Sequence, residues 1–311
     1  MTTYHDNEYL KLVQHALCNG VRKPNRTGVD TISVFGYQMK FDLRDRTIPM
    51  LTTKKMFTRG IIHEILWYLQ GADNIKYLKD NNVTIWDEWA REDGSLGPVY
   101  GYQWRKWPSY EAEGAAIDQI AALMDKLKNN PNDRRMLVSA WNVGNLADMA
   151  LPPCHYSFQC YARPLAVMER VYEAGRRFHP SEIIENTTDA TVEGWLDEVN
   201  IPKYELSLLL NQRSCDIGLG VPFNIVQYSM MLRMFAHVSN MTPGDFIWNG
   251  GDVHIYENHV DQLREQLKRT PLPSPTFEFA RPVASIDDFK YDDFVISGYT
   301  SHPTIKMDVA V

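Results

Sequence analysis

Cysteine is scarce in this chain and irregularly placed. The four present, Cys18, Cys154, Cys160 and Cys215, contain no C-x-x-C pair, and their spacing matches neither a disulfide framework nor a thiolate metal site. They read as free thiols in a reducing compartment, and most such thiols are simply small buried hydrophobes. No apolar run approaches the roughly 20 residues that cross a bilayer. The start, Met1-Thr2-Thr3-Tyr4-His5-Asp6, lacks the basic head and apolar core of a secretory signal. A cytoplasmic location is therefore expected. Positive charge is also short. The net charge of −7 excludes bulk affinity for nucleic acid, so any bound anion must be met by a local cluster of Lys and Arg.

Several standard motifs are missing as well. No G-x-x-x-x-G-K-[ST] loop occurs, and no G-x-S-x-G elbow. Gly218-Leu-Gly220 lacks the third glycine of a dinucleotide fingerprint and runs into Val-Pro-Phe, which is not expected to open a helix as that fingerprint requires. His254 and His259 are five apart, which is not the i, i+4 spacing of a helical zinc pair, and no metal is expected.

What is there is an ordinary globular composition, 44% apolar and 23% charged over 311 residues. Helical spacing of apolar residues predicts helices over 7–18, 59–70, 116–128, 224–238 and 254–268, the last from Tyr256, Val260, Leu263 and Leu267. Strands are predicted within 30–43 and over 136–142, 156–163 and 204–212. Their irregular interleaving predicts an α+β fold with a mixed sheet, in one domain over 1–311. The acidic, poorly periodic segment 164–203 reads as a surface insertion without a second domain.

Polar residues stand where a plain core would exclude them. Arg213-Ser214-Cys215-Asp216 ends an apolar strand and leads into a glycine-rich turn. Arg26 sits in the turn Asn-Arg-Thr-Gly (25–28), and Arg134 and Arg135 follow a helix stop. Each alone reads as a solvated surface charge; together they make an anion site only if the fold brings them together. Cys154 follows Pro152-Pro153, a rigid extended lead that aims its side chain in one direction. A nearby guanidinium would lower its thiol pKa and activate it as a nucleophile toward a small phosphorylated substrate. His155 does not serve as its partner, because neighbours in an extended chain point opposite ways.

In order along the chain come Asn-Arg-Thr-Gly (25–28), Leu-Thr-Thr-Lys-Lys (51–55), Ile-Ile-His-Glu-Ile-Leu-Trp (61–67), Ile-Trp-Asp-Glu-Trp (85–89) and Gly-Pro-Val-Tyr-Gly (97–101). They are followed by Asp-Arg-Arg (133–135), Leu-Pro-Pro-Cys-His (151–155), Gln-Arg-Ser-Cys-Asp (212–216), Pro-Phe-Asn (222–224), Gly-Gly-Asp-Val-His-Ile-Tyr (250–256) and a terminal Val-Ala-Val. With these blocks, the chain from about Tyr9 to Val311 closely resembles the thymidylate synthase family.

The resemblance implies a homodimer packed sheet to sheet. It also implies reductive methylation of dUMP to dTMP, with 5,10-methylenetetrahydrofolate as co-substrate. Cys154 would add to uracil carbon 6. Arg26, Arg213 and Ser214 would hold the phosphate with Arg134 and Arg135 from the second subunit. Asn224 would read the uracil edge, and His254 and Tyr256 would hold the sugar 3′-hydroxyl. Asp216 would contact base and folate. Glu64 would organise protons near O4, and Tyr100 would help remove the carbon-5 proton. Trp86, Trp89, Leu151, Leu219 and Phe223 would line the folate, Lys54 would meet its acidic tail, and Val311 would close the lid.

Outside the resemblance, Trp86 and Trp89 read equally as core aromatics, and Glu64 as a surface residue on a helix flank. Three features depart from the family pattern: Asn25 where an Asp is frequent, Gly218 where an aromatic is common, and the length of 164–203. Two other readings stand beside the synthase. One is a dUMP, or less readily dCMP, hydroxymethylase; Asn224 favours uracil, since a carboxylate there would suit cytosine better. The more remote one is a non-catalytic nucleotide- or RNA-binding homologue, which the acidic balance and the intact Cys154, Glu64 and Asn224 disfavour.

Overall fold

The alternation at Leu206, Leu208 and Leu210 continues to Asp216, making one long strand with these leucines fully buried on one face. Each such leucine stabilises the fold by about 1.5–3 kcal/mol. In the computed structural model, residues 3–109, 114–178 and 189–309 are described, the side chains of 189–191 excepted.

The strands are β1 (Val21–Lys23), β2 (Thr31–Asp42), β3 (Trp107–Pro108), β4 (Ala116–Ile117), β5 (Leu137–Ser139), β6 (His155–Pro164), β7 (Tyr204–Asp216), β8 (Thr242–Tyr256), β9 (Thr276–Phe279) and β10 (Phe294–Ser297). The helices are α1 (Asp6–Asn19), α2 (Thr58–Leu69), α3 (Lys76–Asp80), α4 (Gly101–Arg105), α5 (Gln119–Asn129), α6 (Val167–Ala174), α7 (Asp189–Glu198), α8 (Gly220–Val238) and α9 (Val260–Leu267).

Six strands form one mixed sheet in the order β1-β2-β8-β7-β6-β5. All neighbours are antiparallel except β7 and β8, which are parallel and joined through α8. The expected α+β class with a mixed sheet and packed helices is what is found. β9 with β10 and β3 with β4 make two small antiparallel pairs outside it. One sheet face carries Met39, Phe41, Phe158, Leu208, Phe246 and Trp248, all buried in the main core with Val226, Met230, Met234 and Phe235 of α8. Helices α2 and α8 are buried on nearly every side, well beyond the width of one apolar stripe. Among the described residues, no helix is long and apolar enough to cross a membrane.

Several expectations need correction. The helix expected over 254–268 is shorter. His254, Ile255 and Tyr256 are held in β8 by pairing with Ser33, Ile32 and Thr31, and the α-helix begins only at Val260. A helix does open within Gly-Val-Pro-Phe: α8 starts at Gly220, with Pro222 in the first turn, where its missing N–H is not needed. The strand expected over 136–142 spans only Leu137–Ser139.

The described part of 164–203 is more ordered than its weak periodicity implies. Helices α6 and α7 enclose their own apolar cluster of Ala174, Leu196 and Ile201, and the rings of Phe178 and Trp195 meet edge to face at 5.5 Å. Buried Arg170 ties them together through Asp197 at 2.6 Å and the Ile201 carbonyl at 3.2 Å.

Candidate active site

Sheet register assembles Cys154, Arg213, Ser214, Asp216, His254 and Tyr256 at one end of β6, β7 and β8. Residue Cys154 immediately precedes β6, and its carbonyl accepts from the Arg213 backbone N–H at 2.8 Å. In the parallel β7–β8 pair, Ser214 lies opposite Asp252 and Asp216 opposite His254. The Arg213 guanidinium donates to the Pro153 carbonyl at 2.8 Å through Nε and to the Pro152 carbonyl at 2.9 Å through Nη2. Its other face lies over the Trp141 ring at 5.1 Å. Arg213 thereby clamps the Pro-Pro lead and keeps Nη1 for another acceptor.

The Cys154 backbone N–H donates to the Tyr100 hydroxyl at 2.8 Å. Burial pushes the Cys154 thiol above its ordinary value, and the opposing pulls of Arg213, the Tyr100 and Ser214 hydroxyls and Arg26 do not offset it. This corrects the expectation of a depressed thiol: the guanidinium acts in the expected direction, but desolvation is larger. Tyr100 is positioned at some cost. Its φ is 25°, a left-handed value for a non-glycine residue that costs about 1–3 kcal/mol. The next residue must be glycine, since a Cβ at Gly101 would stand 2.3 Å from the Tyr68 carbonyl of α2.

His155 makes no hydrogen bond to the Cys154 thiol among the described residues. It is buried, stacked on Tyr100 at 4.1 Å, and its Nδ1 lies 2.8 Å from the Tyr228 hydroxyl. Burial lowers its pKa to about 3, so the ring is neutral packing.

Glu64 is not a surface residue. It lies buried on α2, with Oε1 accepting from the Tyr68 hydroxyl at 2.9 Å and the Trp86 indole N–H at 2.6 Å, while Oε2 accepts from the Gln227 amide. Burial raises its pKa, opposed by the bonds from Trp86, Tyr68 and Gln227.

From Glu64 a chain of side chains runs to Trp248 with one possible polarity. The Trp248 indole only donates, so Gln212 Oε1 must accept, at 2.8 Å. Gln212 Nε2 then donates to Asn224 Oδ1 at 3.0 Å, Asn224 Nδ2 donates to Gln227 Oε1 at 3.0 Å, and Gln227 Nε2 ends on the Glu64 carboxylate. Donor-only and acceptor-only ends fix every amide between them. Asn224 retains one N–H and one lone pair for a ligand. Gln212, Gln227 and Trp248 were not among the expected site residues. The inward period of β7 marks Gln212, and the i, i+3 spacing from Asn224 on a buried helix marks Gln227.

The sugar-side residues also gather. Tyr256 is bonded to the Asn25 side chain, and burial first, then Asp216, raises its pKa against the pull of Asn25 and Arg26. Asn25 Oδ1 in turn accepts from the Thr27 N–H at 3.0 Å. His254 is buried, with its Nδ1 3.2 Å from Asp252 Oδ1 and its ring edge to face with Tyr256 at 5.2 Å. Gly218 has no room for a side chain. A Cβ there would meet His259 Nδ1 at 2.7 Å and Met307 Sδ at 3.0 Å, so the C-terminal segment fills the space of the absent side chain.

Lys54 is buried, donates to the Gly218 carbonyl, and has its pKa lowered to about 8 by desolvation, against the pull of Asp216. Trp89, Leu151, Leu219 and Phe223 are half-buried on the main core, whereas Trp86 is almost wholly buried. Val311 lies outside the described residues. The structure does not bring Arg134 and Arg135 to Cys154 by any bond within the chain. They sit exposed before β5, and neither guanidinium is hydrogen-bonded or ion-paired among the described residues. No three His, Cys, Asp or Glu side chains among the described residues gather as metal ligands would.

A sequence model of the family described as thymidylate synthase matches residues 7–311, essentially the whole chain. The chain belongs to the thymidylate synthase family. Thymidylate synthase family chemistry is folate-dependent one-carbon transfer to a pyrimidine nucleotide, and the enzyme is a transferase of that kind. Its substrates by family are dUMP and methylenetetrahydrofolate.

Proposed function

We propose that the enzyme is the synthase of its family, converting dUMP to dTMP with release of dihydrofolate. The observation that carries the uracil assignment is the polarised chain passing through Asn224. One open N–H and one open lone pair on that amide match the O4 acceptor and N3–H donor of uracil. Cytosine presents an amino donor and an N3 acceptor, the opposite pattern.

Around that pairing, Arg26, Arg213 through its open Nη1, and Ser214 anchor the phosphate. Charge-assisted hydrogen bonds of this kind are worth about 1.5–3 kcal/mol each. The thiolate adds to carbon 6, the electron pair moves through carbon 5 toward O4, and carbon 5 becomes nucleophilic. Glu64, with a raised pKa, is the group that manages protons on the O4 side. Tyr100 has its pKa raised well above the ordinary value, first by burial, so it relays the carbon-5 proton as a neutral hydroxyl.

The residues present fit an acidic, aromatic co-substrate. Half-exposed Trp89, Leu151, Leu219 and Phe223 offer apolar edges beside the uracil reader, with Trp86 behind them. Buried Lys54 offers a cation for the folate's acidic tail and Asp216 a polar contact. When bound, the folate supplies a one-carbon unit and the hydride that completes the methyl group.

The site is shared in a homodimer packed sheet to sheet. Tyr161, 65% exposed, and Gln159, Leu209 and Ile247 lie on the sheet face turned away from α8, with Gln159 opposite Leu209 and Leu209 opposite Ile247. The unpaired Arg134 and Arg135 are the groups each subunit lends to the other's phosphate.

The Cys154→Ser variant tests the assignment of the nucleophile. Its dUMP affinity should stay within about threefold of the parent while turnover is lost. Turnover close to that of the parent would refute a covalent role for Cys154.

A further inference from the structure

A second cavity, of about 600 Å³, lies between the insertion and the body, away from Cys154. That is the size of a small-molecule site. Helix α6 turns Val167, Val171 and Ala174 into the insertion's own cluster. Met168 and Tyr172, one turn apart, line the cavity instead and are 73% and 70% exposed. Phe279 and Met241 line it from the body.

Beside this apolar wall sits Arg233 of α8, only 7% exposed. Its Nη2 donates to the carbonyls of Leu43 at 2.7 Å and Thr47 at 2.9 Å. Its Nε is buried without an acceptor among the described residues, and no described carboxylate is ion-paired with the guanidinium. A buried guanidinium is ordinarily paired.

Arg46 and Arg176 line the same cavity, and both repel Arg233. Arg46 has no side-chain partner among the described residues, whereas Arg176 is paired with Glu173 at 3.2 Å. Most carboxylates of the cavity are already engaged. Glu205 is held by Arg44 and Arg163, and Glu169 by Arg163. Asp45, which attracts Arg233 from nearby, accepts from Thr3 and Thr47. Glu278 is the lining carboxylate without an ion pair among the described residues. Arg46 lines the cavity without a side-chain partner among the described residues, and buried Arg233 keeps an Nε with no acceptor there, both beside the apolar wall.

We propose that this cavity binds a small organic anion, its phosphate or carboxylate on Arg233 and Arg46 and its apolar body against Met168, Tyr172 and Phe279. The insertion thereby has a role: it supplies one wall of a ligand site separate from the nucleotide site.

Phenyl phosphate tests the assignment, titrated calorimetrically into the full-length protein with dUMP held at saturation so that the nucleotide's phosphate site is filled. Binding should persist, and inorganic phosphate should bind more weakly because it lacks the apolar body. Arg46→Gly removes one cation while relieving the left-handed φ of 68° at that residue, so the fold should be kept. This variant should weaken phenyl phosphate by at least about tenfold, the loss expected for one charge-assisted bond, and leave dUMP binding unchanged. Tyr172→Ala, on the exposed face of α6, should weaken phenyl phosphate but not inorganic phosphate. Absence of binding under saturating dUMP, or binding unchanged in both variants, would overturn the proposal.

Discussion

Asn224 donates to Gln227 at 3.0 Å, and the same Gln227 amide donates from its other end to the Glu64 carboxylate. Two side chains from different helices, one proposed to read the base and the other to manage protons, are thereby held by a single residue between them. Gln227→Ala should loosen the Asn224 amide, then held by Gln212 alone, and leave Glu64 short of a donor. The expected result is a fall in kcat of about 10–100-fold together with weaker discrimination between dUMP and dCMP. Gln227→Glu, which sets a second carboxylate against Glu64, should be worse. Steady-state kinetics on both nucleotides decide this; unchanged discrimination in Gln227→Ala would mean that Gln212 alone orients the amide.

The thiol of Cys154 should be sluggish without nucleotide. Burial raises its pKa above the ordinary 9.0 despite Arg213. Its alkylation rate in the free protein, followed by peptide mass mapping to separate it from exposed Cys18, should still be climbing at pH 9. A plateau below pH 8 would show that the cations prevail over desolvation.

Lys54 carries a pKa of about 8 in the fold against an ordinary 10.5. If it meets the folate's acidic tail, KM for methylenetetrahydrofolate should rise between pH 7 and pH 9 as the ammonium is lost, and Lys54→Met should flatten that dependence. The same shift carries a stability signature. The unfolded chain binds the extra proton between the two values, so the contribution of Lys54 makes stability rise with pH from about 8 to 10.5. A pH-independent KM in the parent protein would separate Lys54 from folate binding.

A shared phosphate site predicts complementation. Cys154→Ser and the double variant Arg134→Ala, Arg135→Ala should each be poorly active. A mixed dimer has one site with both its cysteine and its borrowed arginines intact. Random reassortment of equal amounts should therefore restore about a quarter of parental activity. No recovery after subunit exchange would place these arginines outside the partner's site.

Much of this was legible in the residues alone. The inward period of Leu206, Leu208 and Leu210 placed β7, and the ordered motifs placed Cys154, Asn224 and Arg213. Tertiary burial was the harder part. Glu64 looks like a flank residue because α2 also carries an apolar stripe, and only packing by α4 and α8 turns that flank inward. The raised thiol pKa is not legible in the sequence, which displays the nearby cation but not the desolvation opposing it. Tyr256 has helical spacing to Val260, yet pairing with Thr31 holds it in a strand. Gln227 was hidden in a methionine-rich helix, where a polar residue signals function only once its partners are known.

The most direct measurement is product analysis of the purified enzyme given dUMP and 5,10-methylenetetrahydrofolate. The predicted result is dTMP and dihydrofolate in equal amounts. Hydroxymethyl-dUMP with tetrahydrofolate would contradict the synthase reading, and so would no turnover of dUMP at all.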